Sequence, residues 1–292
     1  MIRTLLAAAA VAALAATPAA AQRSRPAAAA EPPPAPGEPA AADWRTPNPD
    51  DVLVIDTNKG RVFVEMTPEV APAHVQRIKE LARAGFYDGR SFFRVIDLFM
   101  AQTGDPNDTG TGGSDKPNLD QEFLFRLAPS DPFVQVADQN VSQTGFIKSL
   151  PVMSQSPMLA PLTADGRISA WALYCPGVAG MARGEDQNSA NSQFFLMRQA
   201  YPSLEKRYTA WGRVIHGLEA VRAIKTGEPV EPPQDRMERV RILADMPAGD
   251  RPKVVRVVDP AGAWFKAEVE HVRARMGADF TPCAIRVPSE VK

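Results

Sequence analysis

Short strand-like runs interrupted by turn residues dominate this chain, and that spacing limits what it can fold into. Val52–Thr57 and Arg61–Met66 flank Asn58-Lys59-Gly60 and read as a β-hairpin. Further strand-like runs lie around 92–96, 99–103, 192–197, 208–215 and 240–244. Only two segments in this stretch show helical spacing. Val75, Ile78, Leu81 and Ala82 share one face of a helix with Pro72 in its first turn and Gly85 after its end. Leu218, Val221 and Ile224 share a face of a second helix, which stops at Gly227. Many short strands and two helices predict an antiparallel barrel or sandwich.

The two ends read differently. Residues 1–21 join Arg3, an apolar stretch from Leu5 to Ala16 and an Ala19-Ala20-Ala21 cleavage signal, and are expected to be a signal peptide. The alternative is an uncleaved membrane anchor. The mature protein is thus expected in a periplasm or secreted, with no stable membrane insertion once the signal is removed. Residues 22–49 hold a cluster of prolines, including Pro32-Pro33-Pro34, and are expected to be a disordered, extended linker. Residues 50–246 form the main domain. Within it, 126–176 is punctuated by Pro129, Pro132, Pro151, Pro157 and Pro161, and reads as an insertion with some structure of its own. Residues 247–292 are an extension in which Phe265, Val269 and Val272 mark an amphipathic helix over 260–275, a strap packed on the domain. Lys266, Glu268, Glu270, Arg273 and Arg275 are its polar residues, and the lone His271 is placed on an exposed face.

Composition excludes several classes. With 33 Lys+Arg against 34 Asp+Glu, the chain has no general attraction for nucleic acid. Three His and two Cys cannot build a multi-zinc module, and no metal or cofactor is expected. The loop Gly104–Gly113 lacks the Lys-Ser/Thr ending of a phosphate loop and the downstream Glu of a calcium loop, so a structural role is expected.

Local strings go further. Phe92-Phe93-Arg94-Val95-Ile96 followed by Phe99-Met100-Ala101-Gln102-Thr103-Gly104-Asp105 resembles the first motif of the cyclophilins. Met181-Ala182-Arg183 and Ser192-Gln193-Phe194-Phe195 resemble the second. Gly110-Thr111-Gly112-Gly113, Glu122-Phe123, Gly85-Phe86-Tyr87-Asp88-Gly89 and Tyr208-Thr209-Ala210-Trp211-Gly212-Arg213-Val214 also match, in order, over roughly 50–125 and 177–245. The resemblance implies a closed eight-stranded antiparallel β-barrel capped by two helices. It also implies peptidyl-prolyl cis–trans isomerase activity on proline-containing polypeptides; the chain is expected to be a monomer. It places Arg94 and Gln102 in the catalytic role. Phe99, Met100, Phe195 and Leu204 would wall a proline pocket, with Tyr208 closing its floor. Gln193 would orient Arg94 and the substrate, and Ala182 and Arg183 would lie along the peptide.

The reaction itself asks for such residues. Resonance opposes rotation about an amide C–N bond by about 18–20 kcal/mol. In the twisted state the nitrogen regains its lone pair, so a fixed N–H donor aimed there favours the transition state selectively. Arg94 is always protonated and carries several donors. No bond is made or broken, so neither nucleophile nor metal is needed. A 10⁵-fold acceleration requires roughly 7 kcal/mol.

Phe93 stands where the family usually has His, and Ser203 where a Trp contacts cyclosporin in sensitive members, which predicts weak cyclosporin binding. A non-catalytic peptide-binding module of the cell envelope is the alternative function, since the insertion could cover or repurpose the groove. For Cys175 and Cys283, an exported protein could form a disulfide between insertion and strap, or keep two separate buried thiols. His74 and His216 do not suggest acid–base chemistry.

Overall fold

The structure is a computed structural model that describes residues 32–139 and 141–292. The expected signal peptide, and residues 22–31 of the expected linker, lie outside the described residues. Two strands, β1 (Trp44–Arg45) and β2 (Val52–Thr57), lead into β3 (Gly60–Met66), helix α1 (Pro72–Arg83), β4 (Arg94–Ile96) and β5 (Met100–Thr103). The segment between the two sequence motifs carries β6 (Phe125–Leu127), β7 (Phe133–Asp138), β8 (Ser142–Ile147), β9 (Leu150–Gln155) and β10 (Ile168–Ala172). Then come β11 (Val178–Met181), β12 (Phe194–Met197), β13 (Ala210–His216), helix α2 (Leu218–Ala223) and β14 (Met237–Ile242). Strand β15 (Val255–Val258), helix α3 (Ala263–Met276) and β16 (Ser289–Val291) complete the chain.

Eight strands form one curled antiparallel sheet in the order β14-β2-β3-β13-β11-β12-β5-β4. Its interior is built by alternation. Leu53 and Ile55, Val62, Val64 and Met66, Val95, Ala101, Phe194 and Leu196 all belong to one buried cluster. The apolar faces of α1 (Val75, Ile78, Leu81, Ala82) and α2 (Ala220, Val221) cover that cluster. The closed barrel expected from the sequence is not seen as a continuous ladder. Strands β4 and β14 are not paired; their flanking segments meet through the isolated bridges Ser91 to Arg236 and Val95 to Gly227 and a few further backbone hydrogen bonds, such as Met237 N–H to Arg90 O at 2.8 Å. The segment 225–236 that would pair with β4 holds Pro229, Pro232 and Pro233, and prolines cannot donate to a ladder.

Val52 and Val54 of β2 and Phe63 of β3 point the other way, and they too are buried. Val255 and Val257 of the C-terminal extension cover them. That second cover explains why Val52–Ile55 reads as an unbroken apolar run. The insertion is a five-stranded antiparallel sheet, β6-β10-β9-β8-β7. The extension touches it as well: Trp264, Phe265, Val269 and Val272 of α3 pack on Val136 and Phe146. Cys175 and Cys283 are bonded, across a sequence separation of 108 residues.

One expectation for the ends needs correction. Residues 33–49 are not a free linker. Trp44 and Arg45 pair with Val258 and Val257 of β15. Asp43 accepts from the Trp264 backbone N–H at 2.9 Å, at the start of α3, and Gly37 O accepts from the Trp264 indole. Composition pointed to disorder because this segment buries little of itself; the strap supplies the missing partner. Glu268, a polar residue of α3, is buried. It is 2% exposed and held by Arg286 through two bonds of 2.8 and 2.7 Å.

Candidate functional site

Register places the key side chains in one row. Arg94 pairs across β4–β5 with Gln102, Gln102 across β5–β12 with Phe195, and Phe195 across β12–β11 with Gly180. Neighbours one residue away, such as Val95, Ala101, Phe194 and Met181, turn into the interior. The row therefore lies on the outer face, by the two-residue period of a strand. Gly180 is required there. A Cβ at that position would stand 2.6 Å from Cζ of Phe195.

Above the row is a pocket of about 630 Å³, lined by Arg94, Phe99, Met100, Gln102, Ala182, Arg183, Phe195, Leu204 and Tyr208, all singled out from sequence. Met100, Phe195 and Leu204 are buried. Tyr174 stacks behind Phe195, with centroids 6.0 Å apart, and Tyr208 meets Phe195 edge-on at 5.9 Å. Phe99 leans on Tyr201 at 4.3 Å. The same cluster continues into the insertion through Leu127, Ile147, Leu150 and Val152. The insertion thus backs the pocket wall.

Polar groups run in a chain along the wall. Arg94 Nη1 donates to Gln102 Oε1 at 3.2 Å, Gln102 Nε2 to Gln193 Oε1 at 2.9 Å, and Gln193 Nε2 to Gly112 O at 2.7 Å. Gln193 is the one predicted residue behind the lining rather than in it. Gly112 belongs to the 104–113 loop, which Asp105 organises. Its carboxylate accepts from the backbone N–H groups of Asn107, Thr109, Gly110 and Gly112. Burial pushes that carboxyl up, but the four donors outweigh burial and hold it below the usual 3.8. Arg183 lies over the Tyr208 ring at 4.6 Å and donates to Arg207 O and Gly184 O, so it braces the rim.

The sequence reading missed Glu228. Its Oε1 is 2.6 Å from both Nε and Nη2 of Arg94. The backbone exchange Val95–Gly227, 2.8 Å in each direction, and the Val230 N–H bond to Phe93 O bring the 227–230 segment to the rim. Pro229, Phe93, Asp108, Thr109 and Gly110 complete the lining. No local motif marks Glu228; only the sheet's two ends meeting places it there. Of the guanidinium's five N–H bonds, Glu228 and Gln102 occupy three, which leaves two for a ligand. Among the described residues no group of three or more metal-ligating side chains occurs, and no helix is long and apolar enough to cross a membrane.

Residues 52–244 match the family model described as cyclophilin type peptidyl-prolyl cis-trans isomerase/CLD. A protein of Brucella suis, named "Probable peptidyl-prolyl cis-trans isomerase", is 34% identical over 195 residues, covering 63% of this chain and 76% of the relative. A peptidyl-prolyl cis-trans isomerase of Schizosaccharomyces pombe is 27% identical over 184 residues, covering 61% and 91%. The crystal structure of cyclophilin AquaCyp293 from Hirschia baltica superimposes with a TM-score of 0.77 at 35% identity, over 85% of this chain and 93% of that one. That likeness reaches beyond residues 52–244, the segment matched by the family model, into the flanking extensions.

Proposed function

The chain belongs to the cyclophilin-type peptidyl-prolyl cis–trans isomerases, and from that premise we propose that it turns X–Pro bonds of exported or folding polypeptides with Arg94 as the donor to the twisted nitrogen. The observation that carries the assignment of roles is the Arg94–Gln102–Gln193–Gly112 chain beside an apolar pocket. A proline ring fits the walls of Phe99, Met100, Phe195, Leu204 and Tyr208, where its burial excludes water from the amide. The two free N–H bonds of Arg94 then meet the nitrogen lone pair only as the bond twists, so they favour the transition state over either planar isomer. Glu228 and Gln102 keep the guanidinium from turning away.

The seam between β4 and β14 is read as a barrel closure, supported by the two bridges that cross it. Export to a periplasm or secretion is supported by the signal-like residues 1–21 and is consistent with the Cys175–Cys283 bond, since disulfides persist in oxidising compartments. The protein is read as a monomer. A protease-coupled X–Pro peptide assay tests the function, with wild type compared to Arg94→Ala. Activity above background that falls in the variant is expected. A wild type without activity returns the chain to a non-catalytic binding role, and an Arg94→Ala variant with full activity removes Arg94 from the mechanism. Fractionation of cells expressing the full chain tests the location.

A further inference from the structure

A second cleft of about 390 Å³ lies away from the proline pocket, where the outer face of β13 meets the strap. Arg213 of β13 lines it. Among the described residues, this guanidinium makes one hydrogen bond, Nη1 to Ser149 O at 3.1 Å, and has no carboxylate within 4.0 Å. Its neighbours cannot compensate it. Glu65, opposite Arg213 in the β3–β13 ladder, is taken by both terminal nitrogens of Arg45 and by the Ser149 N–H. Arg286 is committed to Glu268. Glu219, also in the lining, is exposed and makes no ion pair with Arg213. Arg213 is half-buried, and a guanidinium in a cleft wall with no carboxylate partner offers its remaining N–H groups to an anion.

A second observation points the same way. Ser149 is fully buried in this lining, and its Oγ has no hydrogen-bond partner. Buried hydroxyls are nearly always satisfied, so this one, on a residue of the cleft lining, is a donor in want of an acceptor. The edge of Arg213 formed by Nε and Nη2 is also free, and that edge matches a carboxylate through two parallel bonds. Around it stand Ile215, Ile285 and Val287, which suit a short apolar body. We propose that this cleft binds a carboxylate carrying a small aliphatic group, held by the Nε–Nη2 edge of Arg213 and by the Ser149 hydroxyl.

The site bridges β13 of the main sheet, the insertion's Ser149 and the strap's Ile285–Ser289. Its occupant therefore braces the strap against the domain and raises the unfolding temperature by linkage. Isobutyrate and its uncharged near-isostere isobutyramide are the probes, compared by calorimetric titration and thermal unfolding at fixed ionic strength. Isobutyrate is expected to bind saturably and raise Tm, and isobutyramide to do neither. Arg213→Gln should lose at least roughly tenfold in affinity, the scale of a charge-assisted hydrogen bond, while X–Pro activity is unchanged. Equal responses to the two probes, or full isobutyrate affinity in Arg213→Gln, would overturn the proposal. If that variant does not fold, Ser149→Ala decides: several-fold weaker binding supports the site, and unchanged binding overturns it. An acetylated Ala-Val acid, compared with its C-terminal amide, separates the sources. Tighter binding of the peptide acid than of isobutyrate marks a polypeptide C-terminus; parity marks a free small acid.

Discussion

Removing Arg94 and Glu228, singly and together, tests whether the guanidinium works as an aimed donor. Arg94 is 37% exposed and Glu228 56% exposed, so neither interaction has the full strength of a buried one. A hydrogen bond from a charged donor contributes about 1.5–3 kcal/mol. At 1.36 kcal/mol per decade, Arg94→Ala is expected to lower kcat/KM by roughly ten- to a hundredfold, the loss falling on kcat. The Arg94–Glu228 pair sits in the range of exposed ion pairs, up to about 1 kcal/mol. Glu228→Ala should then cost up to about fivefold, with KM little changed and Glu228→Gln in between. The coupling is the sharper readout. With Arg94 already Ala, deleting Glu228 should change nothing, because its only proposed role is to hold that side chain. A protease-coupled peptide assay gives all four rates, and thermal unfolding confirms that each variant is folded. Activity of Arg94→Ala within twofold of wild type would refute the donor argument. An equal effect of Glu228→Ala in both backgrounds would refute the positioning argument.

Three further outcomes follow from the packing and the charges. Breaking Cys175–Cys283, by reduction or by a double Ala variant, frees a loop with a sequence separation of 108 residues. It should lower stability by about 5 kcal/mol in the chain-entropy treatment, read from denaturant midpoints; a loss under 1 kcal/mol contradicts it. Gly180→Ala places a Cβ 2.6 Å from Phe195 Cζ and 2.9 Å from the Tyr174 hydroxyl. The overpacking, about 1–3 kcal/mol, should raise KM more than it lowers kcat, and unchanged kinetics would show that Phe195 yields freely. Burial raises the Glu268 carboxyl, but its pair with Arg286 outweighs burial and leaves it below the usual 4.5. The folded value lies under the unfolded one, so this stabilisation is complete above about pH 4.5 and is lost as pH falls through the folded value. Glu268→Gln should flatten that acid limb of the urea midpoint against pH, and an identical limb would exclude the pair as its source.

The parts of the fold with a local signal were legible. The 52–66 hairpin declared itself by alternation around a Gly turn, and α1 by its 3.6-residue stripe. Arg94, Gln102, Phe99, Met100 and Phe195 were legible through motif order, which encodes a register that no single residue reveals. What escaped was long-range. Glu228 meets Arg94 only because two sheet ends approach one another. Glu268 looked like an ordinary charged helix position until Arg286 was placed against it. Residues 33–49 lack a pattern of their own, and their order comes from Trp264 and β15. The choice between a disulfide and two thiols needed the approach of two segments far apart in sequence.

Strands β1, β15 and β16 form a small sheet of their own. Strand β15 is its central member, and each flank is guarded by a strand from an opposite end of the described chain. Trimming residues up to Arg45, or the last few up to Lys292, therefore does more than shorten the protein. It strips a partner from Val255–Val258 and leaves backbone donors and acceptors open to any passing strand. The two tails act as chaperones in cis for that edge, and a protein clipped at either end is expected to self-associate before its pocket is touched.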